Sequence, residues 1–240
     1  MLALLALLGA LAGVAGASAV ARVPDAGRPR AATTVPPATP SPRATYIAPA
    51  GPTLPPARGD PAVARRPPNV RGLLVPIAGA RIPTDPILLP DAPRTYRSGI
   101  HEGIDFAAPL GTPVVAAAGG VIVRIDHAYT EQPAAVVAAA LAEANRLGYT
   151  PGKTLDMLRG RQVWIDHGGG IVTRYCHLSS VAPFPVGAYV RAGEVIGKVG
   201  SSGLPENGPH LHFEIRVGDD FLGDGLHGAA LERVIDLAFR

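Results

Sequence analysis

Residues 208–216 read GPHLHFEIR, and this stretch decides the reading of the whole chain. Apolar and polar residues alternate through it, and successive side chains of a β-strand point to opposite faces. His210, His212 and Glu214 therefore share one face of a strand, while Leu211 and Phe213 share the other. A strand face is an unfavourable place for two imidazoles unless they are used. Two imidazoles and a carboxylate form a donor set that suits zinc, and a position left for water makes such a metal catalytic.

Working outward, short apolar runs punctuated by Gly and Pro begin near Gly72. Expected strands are 73–77 (LLVPI), 113–117 (PVVAA), 120–126 (GVIVRID), 162–166 (QVWID), 170–177 (GIVTRYCH), 194–199 (EVIGKV) and 210–216. The pair Gly119-Gly120 and the run Gly168-Gly169-Gly170 fall where tight connections between strands are needed. These spacings predict a mainly β domain of antiparallel sheet and hairpins.

One stretch breaks the pattern. Residues 132–147, QPAAVVAAALAEANRL, are Ala-rich, with Thr130 as a candidate cap, Pro133 in the first turn and Gly148 just past the end, so they predict a helix. A second short turn is expected over 154–159, and a closing helix near 229–239. An insertion between two strands sits over a sheet edge or a cleft.

The N-terminal third is different in kind. Residues 2–21 carry no charged side chain and end in small residues, Ala17-Ser18-Ala19 or Ala19-Val20-Ala21, which favours a signal peptide over a retained N-terminal membrane anchor. Residues 22–70 hold half of the 26 prolines and read as an extended Pro/Ala/Arg-rich disordered linker. Seven arginines against two aspartates there exceed the net +3 of the whole chain, so residues 71–240 are net negative. A basic spacer therefore explains the pI near 9.3, and no nucleic-acid partner is expected. The single cysteine, Cys176, excludes an internal disulfide and any multi-cysteine metal site; it is expected to be buried and inert.

Five further histidines need placing beside the strand pair. His101 opens His101-Glu102-Gly103-Ile104-Asp105, where Gly103 and Pro109 disfavour a helix and predict a turn leading into a strand. His177 follows Tyr175-Cys176, close to the Gly-rich stretch Val199-Gly200-Ser201-Ser202-Gly203. His127 and His167 each follow an aspartate at a strand end and read as structural, and His227 reads as a loop residue.

The segments HEGID (101–105), APLGTPVVAAAGGVIV (108–123), YCHLSS (175–180), VRAGEVIGKVGSSG (190–203) and GPHLHFEIR (208–216) resemble, in order, the lysostaphin and LytM-type zinc endopeptidases of bacterial cell walls. The resemblance covers residues 72–217 and implies the duplicated hybrid peptidase fold, with the 129–160 insertion and the C-terminal helix as additions. It implies one Zn2+ per domain held by His101, Asp105 and His212, with His177 and His210 as catalytic histidines whose division of labour stays open. It implies peptidoglycan peptides as partners and an exported location: periplasm, cell envelope or extracellular space. Glu214 is read as an orienting partner of a ligand or as packing at a strand end.

Two other function classes compete. A catalytically silent wall-binding regulator needs no metal, but every implied ligand is present here. A biotinyl- or lipoyl-type carrier is suggested by VGAYVRAGEVIGKVG (186–200), but it needs its lysine at a hairpin tip and Lys198 falls inside a strand pattern. Departures from the family are Cys176, the loop Leu204-Pro205-Glu206-Asn207 and the insertion, which is expected to border the substrate groove and limit access.

Overall fold

A computed structural model of the protein describes residues 70–240. The segment read as signal peptide or anchor, and all but the last residue of the spacer, lie outside the described residues.

The described chain runs β1 (Pro93–Arg94), β2 (Gly99–Ile100), β3 (Ile104–Ala107), β4 (Pro113–Val115), β5 (Gly120–Ile125), α1 (Ala134–Leu147), α2 (Gly152–Arg159), β6 (Val163–Asp166), β7 (Ile171–Cys176), β8 (Leu178–Val181), β9 (Tyr189–Val190), β10 (Val195–Val199), β11 (His210–Val217), β12 (Asp220–Phe221) and α3 (Gly228–Ala238). The principal sheet has the order β12-β11-β7-β6-β5-β9, with β3 also paired to β11. A second sheet has the order β4-β10-β8, and β1 and β2 form a small ribbon. The pairs are antiparallel. The mainly β architecture, the helical insertion and the closing helix all match expectation.

The alternation in β11 divides its two faces. Leu211, Phe213 and Ile215 join a core with Ile104 and Phe106 of β3, Ile122 of β5, Ile165 of β6, Tyr175 of β7 and Leu231, Val234 and Ile235 of α3. Each such fully buried large side chain contributes about 1.5–3 kcal/mol. The opposite face carries His210, His212 and Glu214, and the polar chemistry of the domain is built there.

Three local expectations are corrected. Residues 73–77 form no strand: Pro76 has no N–H, and the Gly72 and Leu73 N–H groups donate to the carbonyls of Arg240 and Ala238, tying the segment to the end of the chain. Thr130 does not cap α1, whose cap position is Pro133 without a side-chain bond, although Gly148 does end the helix. Gly119-Gly120 is not a hairpin turn, because β4 and β5 lie in different sheets. Gly168–Gly170 does join the paired strands β6 and β7. Lys198 lies within β10, opposite Pro113 on one side and Ser180 on the other, which removes the hairpin-tip lysine of a carrier domain.

Candidate metal centre

Strand register assembles the site. In the β3–β11 ladder Asp105 lies directly opposite His212, and in the β11–β7 ladder His212 lies opposite Cys176. Asp105 and His177 are thereby delivered to the two sides of one imidazole. His101 arrives from the turn before β3, and Gly103 lets that turn approach: a Cβ there would fall 2.5 Å from Phe213 O and 3.0 Å from His212 Cε1.

His101 Nε2, Asp105 Oδ1 and His212 Nδ1 face one another. The separations are 2.9 Å from His101 to Asp105, 2.8 Å from His212 to Asp105 and 3.0 Å between the two nitrogens. Their outer atoms fix the tautomers. His101 Nδ1 lies 2.8 Å from Leu89 O, which can only accept, so Nδ1 carries the hydrogen and Nε2 presents a lone pair. His212 Nε2 lies 3.1 Å from Glu214 Oε1, so its hydrogen is there and Nδ1 presents a lone pair. With both imidazoles neutral, three acceptors converge, an arrangement that a cation or a shared proton relieves, and the borderline-soft N2O set fits zinc.

Without an ion, a proton on His212 takes that place. Burial opposes charge on His212, but its bonds to Asp105 and Glu214 outweigh burial and carry its pKa up to about 9. Burial pushes His101 down, against the pull of Asp105. Burial raises the Asp105 carboxyl, but the facing imidazoles of His101 and His212, which can carry a proton when no ion is bound, reverse that and hold it well below the usual carboxylate range. Arg94 Nη2 donates to Asp105 Oδ2 at 3.2 Å and to Ile87 O at 3.0 Å, leaving Oδ1 turned to the histidines.

Glu214 lies behind His212 with no exposed surface. It accepts from Arg159 Nε at 2.5 Å and from Arg174 Nη1 at 3.3 Å, and Arg159 Nη2 donates to Glu102 at 2.7 Å. Arg216 closes the ring on Glu102 at 2.6 Å. A buried carboxylate on this scale is tolerated because it is fully paired. Burial raises the Glu214 pKa, but the cations, Arg159 foremost, and the His212 bond reverse that and hold it well below the usual carboxylate range.

His177 and His210 stand beside the triad, their ring centroids 4.6 Å apart, with His177 5.7 Å from His212. His177 Nδ1 donates to Ser202 O at 2.8 Å and His210 Nδ1 to Gly208 O at 3.0 Å, so each leaves Nε2 for other partners. Burial, then the neighbouring His210 and His212, push His177 down to about 3, which keeps it neutral. Its backbone is left-handed, with φ +62°, where β7 breaks into β8. Both histidines line one cleft with His101, Asp105 and His212, together with Leu155, Leu158 and Arg159 of the insertion and Leu204 and Asn207 of the departing loop.

Peptidase family M23 matches residues 99–223, just over half of the chain and the span that holds all five of these residues. The chain belongs to this family. Among M23 relatives, it is 39% identical over 118 residues to the DD-carboxypeptidase/endopeptidase Mpg of Neisseria meningitidis serogroup B, covering 49% of this chain and 20% of that protein. It is 34% identical over 126 residues to the peptidoglycan DD-endopeptidase ShyA of Vibrio cholerae, covering 52% of this chain and 22% of that protein. A solved catalytic domain of lysostaphin from Staphylococcus simulans is 30% identical, with TM-score 0.35, over 50% of this chain and 69% of that one. The M23 match spans about a fifth of the length of the curated relatives named here.

Of the sequence-predicted residues, His101, Asp105, His177, His210 and His212 all come together. His127 instead bonds Phe184 O, His167 bonds Gly119 O and Thr173 Oγ1, and exposed His227 pairs with Asp91. Sequence reasoning missed Arg94 and Arg159. Arg159 sits at the end of an insertion and acts on a strand 55 positions away, so no local spacing signals it. Cys176 is buried, and burial pushes its thiol well above the usual range.

Proposed function

We propose that this M23 chain is a zinc-dependent endopeptidase that hydrolyses peptide cross-links or stem peptides of bacterial peptidoglycan outside the cytoplasm. The observation that carries the reading is the convergence of two imidazole lone pairs and a carboxylate oxygen within 3.0 Å of one another, backed by a buried second layer. The substrate class draws support from the relatives named DD-carboxypeptidase/endopeptidase and peptidoglycan DD-endopeptidase.

In this reading His101, Asp105 and His212 hold the ion. Bound zinc supplies Lewis-acid polarisation of the scissile carbonyl and makes a water acidic enough to attack near neutral pH. Leu89 O and Glu214 keep the two imidazoles turned inward, and Arg94 keeps Asp105 monodentate towards them. His177 and His210, each with Nδ1 tied to a carbonyl, divide proton transfer and oxyanion stabilisation between them at Nε2. A neutral Nε2 takes a proton, and once protonated it becomes a donor to the developing oxyanion.

The test is mass spectrometry of products released from purified peptidoglycan by the full chain, with and without a zinc chelator. Chelator-sensitive release of peptides, with the glycan uncut, supports the reading and identifies the bond. Glycan cleavage, or hydrolysis indifferent to chelation, overturns it.

A further inference from the structure

We propose that Glu131, on the segment leading into α1, is a positioning residue for His177, acting through the peptide unit that joins Ser202 to Gly203. The inference rests on the reading of His177 given above. Glu131 accepts the Gly203 N–H with both carboxylate oxygens, at 2.9 and 3.1 Å. The carbonyl of that same peptide unit, Ser202 O, accepts His177 Nδ1–H at 2.8 Å. A peptide unit is planar and rigid, so an anchor on its N–H end fixes the direction of its C=O end. A carboxylate at the N–H also polarises the unit and strengthens the carbonyl as an acceptor. Glu131 and the imidazole are thus two ends of one hydrogen-bonded chain.

Both ends need holding. His177 has a left-handed backbone without being glycine, a conformation that persists only when its surroundings over-determine it. Gly203 is pressed against the end of α2: at φ +80°, a Cβ on it would lie 2.4 Å from Leu158 O. Glu131 is itself oriented, since Tyr129 Oη donates to its Oε1 at 3.0 Å and the Arg161 guanidinium lies 5.7 Å from the Tyr129 ring. The insertion therefore does more than border the cleft. Its first residues brace the loop that aims a catalytic histidine.

The experiment compares the full-length protein with Glu131→Ala and Glu131→Gln. In isotope-labelled histidine spectra of the zinc-loaded proteins, Ala should speed solvent exchange of the His177 Nδ1 proton about tenfold or more, and Gln, which keeps an acceptor, should restore it. In peptidoglycan hydrolysis, Ala should lower kcat about tenfold with KM within about twofold and zinc stoichiometry unchanged. An unchanged His177 Nδ1 proton in the Ala variant overturns the proposal. So does a loss confined to KM, which would make Glu131 a substrate contact. The spectroscopic arm needs no turnover, so a wild-type protein without hydrolysis sinks the functional reading while Glu131 is still judged by the imidazole proton.

Discussion

His212 Nε2 lies 3.1 Å from Glu214 Oε1, two residues along the same strand, and the carboxylate is fully buried. Period-2 geometry places the pair on one face, so the residue that orients the imidazole comes from the same strand as the imidazole. Its other oxygen contacts are guanidinium groups, which fix the carboxylate in turn. The arrangement makes Glu214 at once a prop for a metal ligand and the counter-charge of a buried arginine cluster.

Replacing it should therefore show two separable effects. Glu214→Gln keeps an acceptor for His212 but removes the charge, and zinc affinity should fall about 10- to 100-fold. Glu214→Ala should in addition leave Arg159 short of a partner and lower unfolding stability by about 3–5 kcal/mol. Zinc titration and urea unfolding measure the two, and wild-type values in both would make Glu214 mere packing.

The two histidine classes should behave differently. His101→Ala and His212→Ala should lose both metal and hydrolysis, since each removes one of three converging donors. His177→Ala should keep most of the metal and lose activity, because His177 donates Nδ1–H to Ser202 O and offers only Nε2 to the cleft. Metal content by elemental analysis, alongside product release, checks both. Retained hydrolysis in the His177 variant would remove that residue from the mechanism.

What the sequence made legible follows the range of the interactions. The alternation in HLHFE gave the strand and the shared face of His212 and Glu214, because both facts are local. The antiparallel expectation was sound, but the register that sets Asp105 opposite His212 was not readable from the two segments separately. LLVPI at 73–77 has a strand-like pattern, yet Gly72 and Leu73 give their N–H groups to the end of the chain, a competition invisible in a short window. Leu155, Leu158 and Arg159 of the insertion line the cleft. The link from Arg159 to Glu214 depends on how α2 docks, and that is tertiary.

Gly103 is predicted to be irreplaceable by even the smallest side chain. Its missing Cβ is the space between the turn that carries His101 and the backbone of β11, with Phe213 O at 2.5 Å. A carbonyl inside a paired strand cannot withdraw, so Gly103→Ala should cost about 1–3 kcal/mol and displace His101 and Asp105 from His212. Weakened zinc binding together with a lowered unfolding midpoint is the expected result; a variant equal to wild type in both would show that the turn can move freely.

Cys176 should be silent to thiol reagents in the folded protein. It has no exposed surface, and burial, reinforced by Glu214, raises its pKa despite the arginines nearby. Thiolate is the reactive form, so labelling by a maleimide at pH 8 should wait for denaturant, then reach one thiol per chain. Fast labelling without denaturant would mean that β7 opens next to the site.

Leu155 offers the sharpest test of how the insertion shapes the cleft. Deleting 129–160 outright would also remove Arg159, which pairs with Glu214, and Glu131, so a loss of activity there would not distinguish access from collapse. Leu155 is only partly buried, lines the cleft and has an apolar side chain that takes no part in the polar network, so trimming it changes shape alone. Leu155→Ala should alter KM about tenfold for at least one stem-peptide substrate while leaving zinc stoichiometry and the unfolding midpoint near wild type. Unchanged KM across cross-linked and uncross-linked substrates would show that α2 supports the buried arginine without touching substrate.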